Sequence, residues 1–159
     1  MINLRKMKAS EYPAYYDYFI ADYGDDLTQN HGHSIEMATK LAQQALLSSF
    51  PDGVESKQHD LLCIELNSNG ILTVIGYLWH SIKVSDASTF IYDFYIQAEY
   101  RGSGYGKQAI SELENLLAAI NIEQIQLRVA FNNQRALALY EEVGFTISGY
   151  NMSKKIPSK

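Results

Sequence analysis

Residues 90–107, FIYDFYIQAEYRGSGYGK, constrain the fold of this chain more than any other stretch. From Phe90 to Ile96 the side chains are aromatic or branched on both alternating faces, with Asp93 as the single acid among them. That composition fits a sheet strand covered on two sides. Arg101, Gly102, Ser103, Gly104, Tyr105, Gly106 and Lys107 follow, and Tyr105, Ala109, Ile110, Leu113, Leu116, Leu117 and Ile120 then recur at helical spacing. The glycines fall at a strand-to-helix junction.

A helix N-terminus presents unsatisfied backbone N–H groups and the positive end of the helix dipole. Residues without a Cβ let an anion come close, so this junction reads as a phosphate site. Spacing excludes two common phosphate loops. A nucleoside triphosphate loop needs Gly-Lys followed by Ser or Thr, but Gln108 follows Lys107 and brings no hydroxyl for magnesium. The dinucleotide fingerprint Gly-x-Gly-x-x-Gly would need a third glycine where Lys107 stands. What remains is Arg101-x-x-Gly104-x-Gly106. Alone, that pattern is equally a turn that lets a helix pack closely on a strand.

A second pattern lies at 129–145, VAFNNQRALALYEEVGF. Asn133 is placed to cap a helix and Gly144 to end it, with Ala136, Tyr140 and Val143 on one face. In this order the two patterns resemble the GNAT superfamily of acetyl-CoA-dependent N-acetyltransferases. Its motifs are Gln/Arg-x-x-Gly-x-Gly/Ala and Asn-x-x-Ala-x-x-x-Tyr-x-x-x-Gly-Phe. The resemblance implies a mixed α+β fold in a single N-acetyltransferase domain over 1–159. The expected architecture is a mostly antiparallel sheet of about six or seven strands, with helices on both faces and a splayed parallel pair at the cofactor site.

The same resemblance implies acetyl-CoA as co-substrate and no metal. Arg101, Gly102, Ser103, Gly104, Tyr105, Gly106 and Lys107 would hold the pyrophosphate, with the Arg101 and Lys107 side chains as charge partners. Backbone groups of Tyr95 and Ile96 would carry pantetheine, and an N–H near Ile96 would face the thioester oxygen. Asn133 and Ala136 would border the cofactor. Tyr140 matches the family's proton donor to the departing thiolate, a role open to a phenol because it is protonated at neutral pH. Packing against the cofactor is the alternative for Tyr140.

Asp93 rests on its own argument. A carboxylate inside an apolar strand is costly unless it faces a pocket or a partner. It would anchor or deprotonate an acceptor amine, and a structural hydrogen bond is the other reading.

Composition sets limits on partners. A chain of 159 residues that is 47% hydrophobic can bury a core without cross-links, and its one cysteine, Cys63, excludes an intramolecular disulfide. Net charge is −5, with no basic cluster larger than Lys154-Lys155, which argues against nucleic acid. The sequence has no leader pattern and no long apolar span, so a cytoplasmic protein without a membrane partner is expected. Oligomeric state is open, although dimers are frequent in the superfamily.

From the start of the chain, Ile2 to Met7 reads as a first strand, and Ser10, Glu11 and Pro13 open a helix. Tyr12, Tyr15, Tyr16, Tyr18, Phe19, Ile20 and Tyr23 make an aromatic stripe too wide for a solvated helix. Most of it fits core packing, and one or two rings fit an acceptor pocket. GDDLTQNHGHS, residues 24–34, reads as a polar loop before a helix over 35–49. Its His31 and His33 lack a third metal ligand at a recognisable spacing.

Leu61–Leu66 and Ile71–Ile82 read as a hairpin around Asn69-Gly70, with Trp79 as core and His80 unassigned. A strand over 122–129 should pair in parallel with the one at 90–96. Thr146 to Ile156 should supply one or two closing strands.

An amine acceptor of unknown identity follows, with direct attack on the thioester. A non-catalytic acyl-CoA sensor or regulatory module is the alternative, against which Tyr140 and Asp93 weigh.

Overall fold

The computed structural model describes residues 1–158. Met1–Arg128 and the stretch from Val129 onward are separate compact units. In chain order the first holds β1 (Ile2–Lys6), α1 (Tyr12–His31), α2 (Ile35–Ser49), β2 (Asp60–Ser68), β3 (Ile71–Lys83), β4 (Ser88–Ile96), α3 (Tyr105–Ala118) and β5 (Gln124–Leu127). The second holds α4 (Gln134–Glu142).

The sheet runs in the order β1-β2-β3-β4-β5, antiparallel except for the parallel pair β4–β5. The β2–β3 turn places Asn69 and Gly70 at φ of 54° and 84°, as an Asn-Gly hairpin requires. On one face Tyr15 and Phe19 of α1 and Leu46 of α2 close over Leu61, Cys63 and Trp79, with Met7, Phe50 and Val54 completing the cluster. Ile64 points the other way from Cys63 and pairs with buried Leu4 of β1, against which α3 packs. Helices therefore cover both faces.

Arg5 fastens β1 to its neighbours. Its Nε donates to Glu65 Oε2 at 2.8 Å, and its two Nη groups donate to the Glu11 carboxylate at 2.9 and 2.8 Å. The Arg5 hydrogen bond holds the Glu11 carboxyl down at about 2.

Three expectations are corrected. Residues 24–31 are helical, so α1 is 20 residues long and closes at Gly32, φ 70°. Gly24 is buried where α1 meets α2, its missing Cβ 3.9 Å from the Ala38 backbone, and Leu27 is buried a turn later. The polar residues bond along the helix, Gln29 to Asp25 and Asn30 to Asp26, so nothing breaks it.

The sheet has five strands among the described residues, not six or seven, and 146–156 holds none. Ile147, Tyr150, Met152 and Ile156 are exposed there, and an alternating pattern without a ladder partner does not make a strand. Finally, β4 is not covered on both sides throughout. Tyr92 is half exposed, and Asp93, Phe94 and Tyr95 are only partly buried.

Candidate active site

The geometry begins with a bulge. Trp79 of β3 pairs with Asp93 of β4, but the next residue, His80, pairs with Ile91, so Tyr92 is an extra residue in β4. Strict alternation would put Asp93 on the same face as Ile91, which is buried on the face opposite Trp79. The bulge turns Asp93 onto the α1 face instead. Tyr92 stacks on Trp79 with ring centres 5.0 Å apart.

There α1 meets the carboxylate with two phenols one turn apart. Tyr15 donates to Asp93 Oδ2 at 2.9 Å and Tyr18 to Oδ1 at 3.2 Å. Asp93 lies deep in the protein, yet part of its surface stays accessible. Burial pushes its carboxyl up to about 7. The hydrogen bond from Tyr15 opposes that shift, and the negative charge of Asp22 adds to it.

Asp22, on α1, is itself shifted upward by burial and by the negative charges of Asp26 and Asp25. Burial and Asp93 push the Tyr18 and Tyr15 phenols far up, so both remain donors.

The rings of Tyr18 and Tyr95 lie 4.2 Å apart, those of Tyr18 and Tyr77 5.6 Å, and Tyr77 and Tyr95 are stacked. They line a cleft of about 470 Å³ together with Gln97, Ala98 and Glu99. Gly76 makes this possible, since a Cβ on it would run into the Tyr95 carbonyl. With glycine there, β3 and β4 come close at the point where β4 ends.

The parallel pair stops early. Ladder pairing ends at Ile91 with Leu127, whereas β4 continues to Ile96. Tyr92 to Ile96 thus run on past the last pairing with β5, which itself ends at Leu127. Arg101 turns back to the strand end, its Nε donating to the Ile96 carbonyl at 2.6 Å and its guanidinium lying 5.3 Å from the centre of the Tyr95 ring. That carbonyl therefore already has a donor.

Gly102 and Gly104 have φ of 83° and 84°, and a Cβ on either would meet nothing within 4 Å. Gly104 caps α3 without a side chain, leaving open space at the first-turn N–H groups of Tyr105, Gly106 and Lys107. A diphosphate fits such a cradle. Ser103 and Lys107 are exposed on its rim.

In the second unit the Asn133 side chain accepts from the Ala136 N–H at 3.2 Å and caps α4. Tyr140 is buried with its ring edge-on to Phe145 at 5.5 Å, and Phe145 N–H donates to the Tyr140 carbonyl at 2.9 Å across Gly144, φ 105°.

Other candidates carry no chemistry. Burial pushes the Cys63 thiol up to about 11, the wrong direction for a nucleophile. His31 sits in the last turn of α1, 3.9 Å from Asp26, and no group of three or more His, Cys, Asp or Glu among the described residues could hold a metal. Trp79 is core, as expected, with its indole N–H on His59 Nδ1 at 3.0 Å. His80 is buried against Thr89 Oγ1 at 2.8 Å. Among the described residues no helix is long and apolar enough to cross a membrane.

Tyr15, Tyr77, Gly76 and Asp22 were not singled out by the sequence. The aromatic stripe was the signal for Tyr15 and Tyr18, but spacing alone does not say which rings meet Asp93.

Residues 12–145 match the model of the acetyltransferase (GNAT) family. The chain belongs to that family. It is similar to the N-acetyltransferase YycN of Bacillus subtilis, 32% identical over 157 residues that cover 98% of this chain and 99% of YycN. The crystal structure of the acetyltransferase YycN superposes with a TM-score of 0.89, at 31% identity, over 99% of this chain and 100% of that one. The PaiA N-acetyltransferase of Thermoplasma acidophilum, solved in complex with coenzyme A, shares the GNAT fold at a TM-score of 0.69. It is 18% identical, over 95% of this chain and 93% of PaiA. The order of helices and strands here is thus the GNAT order.

Proposed function

We propose that this GNAT protein transfers the acetyl group of acetyl-CoA to a primary amine, of a small molecule or a peptide, by direct attack. The observation that carries this reading is Asp93, a deep carboxyl pushed up to about 7 and met by the Tyr15 and Tyr18 hydroxyls, where β4 outruns β5. A group of that strength takes a proton from an ammonium near neutral pH.

The remaining parts are assigned from the motifs and the local geometry. First-turn N–H groups of α3, opened by Gly102 and Gly104, would hold the diphosphate of coenzyme A, with Ser103 and the Lys107 side chain beside them. Arg101 holds the loop to the end of β4. Backbone groups of Tyr95 and Ile96 would carry pantetheine, but through groups other than the Ile96 carbonyl, which Arg101 occupies. Asn133 and Ala136 would border the cofactor, and the Tyr140 hydroxyl would protonate the thiolate as it leaves. The ammonium would first give a proton to Asp93, the freed amine lone pair would form the new C–N bond while the C–S bond breaks, and the second proton lost from nitrogen would replace the one that Tyr140 gives to the thiolate.

A single assay tests the proposal. Free thiol should appear from acetyl-CoA in proportion to added primary amine, and acetyl-CoA binding without amine-dependent thiol would support a sensor instead.

A further inference from the structure

Two phenols one turn apart on α1 meet the Asp93 carboxylate, one on each oxygen, and they are not equivalent. Tyr15 is 0% exposed, with its ring held edge-on against Tyr77 at 5.0 Å and beside Phe19. Among the described residues its hydroxyl has one hydrogen-bond partner, Oδ2 of Asp93 at 2.9 Å. Tyr18 makes the longer bond, 3.2 Å to Oδ1, and is partly exposed. The other groups that act on the carboxyl are Asp22 of the same helix, whose charge opposes ionisation, and the Phe94 backbone, which favours it. From β3 the residue opposite is Trp79, which does not titrate, and the Tyr77 ring lies against those of Tyr15 and Tyr18.

When a carboxylate takes up a proton, one of its oxygens becomes a donor. A proton on Oδ2 would point at the Tyr15 hydrogen and leave a fully buried phenol donor without an acceptor, which is costly. A proton on Oδ1 meets Tyr18 instead, whose hydroxyl can turn its own hydrogen outward to solvent and accept. Tyr15 then keeps its bond in both states. That bond is stronger to a carboxylate than to a neutral carbonyl oxygen, so it also favours the ionised form.

We infer that Tyr15 is a positioning residue, holding Oδ2 of Asp93 through both protonation states, so that Oδ1 beside Tyr18 is the oxygen that exchanges the proton. The inference rests on the acetyl-transfer reading for its catalytic use, and its test reads the carboxyl without turnover.

The carboxyl carbons are followed by NMR across pH in the full chain labelled at its aspartates, with the Asp93 line assigned by its loss in Asp93→Asn. Tyr15→Phe keeps the buried ring and removes the hydroxyl. The Asp93 midpoint should then rise by about one pH unit, a tenfold change in proton affinity. In the wild type the Tyr15 hydroxyl proton, sheltered from exchange, should give a low-field line with contacts to the Tyr77 ring, and the line should persist on both sides of the midpoint. It reads the same question if Tyr15→Phe does not fold.

An unchanged midpoint in folded Tyr15→Phe, or a Tyr15 hydroxyl line that disappears as Asp93 takes up its proton, would overturn the inference. The two readings fail separately. A midpoint that rises in Tyr15→Phe while the pH limb of kcat/KM stays where it was would remove Asp93 as the base and keep this inference. A wild-type limb that follows the Asp93 titration, with neither moving in Tyr15→Phe, would do the opposite.

Discussion

The Tyr15 hydroxyl on α1 donates to Asp93 Oδ2 on β4 at 2.9 Å, joining residues 78 positions apart. Burial of a phenol is costly without a partner, and burial of a carboxylate more so, so each satisfies the other. The bond sets α1 over the sheet where the β4 bulge presents its acid, and Tyr18, one turn on, donates to the other carboxylate oxygen. The aromatic stripe of α1 is thus core below and cleft wall above.

Gly76→Ala should damage the cleft without touching its lining. The added methyl runs into the Tyr95 carbonyl, and either β4 moves or the pairing loosens. Overpacking of this kind costs about 1–3 kcal/mol. Urea denaturation should show that loss. A Gly76→Ala protein with wild-type stability would show that the two strands do not need this approach.

How much of this was legible beforehand depends on what each feature rests on. Gly104, Asn133 and Gly144 act through local backbone geometry, which spacing reveals, and the order of strands followed from the two motifs. Gly24 failed as a signal because a glycine serves equally as a breaker and as a small residue between crossing helices. Its neighbour Ala38 is distant in sequence. The bulge at Tyr92 arises from pairing with β3, and no pattern within β4 announces it. The 146–156 segment shows the converse, since alternation without a partner strand is not a strand.

Acid should find the Arg5–Glu11 pair. Glu11 has a folded value of about 2, below its ordinary 4.5, so it contributes stability that is fully present above about 4.5. That stability is lost as pH falls toward 2. In Glu11→Gln this part of the acid dependence should vanish, and the urea midpoints of the two proteins should converge as pH drops through the window. A gap that stays constant would mean that Glu11 does not titrate against Arg5.

Tyr140→Phe removes one hydroxyl and leaves the ring against Phe145. If the phenol protonates the departing thiolate, kcat should fall by about 10²- to 10⁴-fold with acetyl-CoA affinity little changed. An acyl donor whose thiol is much more acidic should recover most of the loss, because it leaves without a proton. Equal losses with both donors would make Tyr140 a positioning residue.

The most direct measurement is the pH dependence of kcat/KM for a primary amine that supports thiol release, in wild type and in Asp93→Asn, with stability followed in parallel. A carboxyl raised to about 7 works as a base only when ionised, so wild-type activity should climb through a limb near 7. The same shift has an opposite sign for the fold. A group raised above its ordinary 3.8 contributes stability that is fully present below about 4 and is lost as pH rises through about 7. Asp93→Asn should therefore flatten the activity limb and lower kcat/KM by about 10²- to 10⁴-fold with acetyl-CoA affinity unchanged, while its melting temperature relative to wild type improves between pH 4 and 8. An unaltered limb and near-wild-type turnover in the folded variant would contradict the account and leave Asp93 a structural anchor for α1.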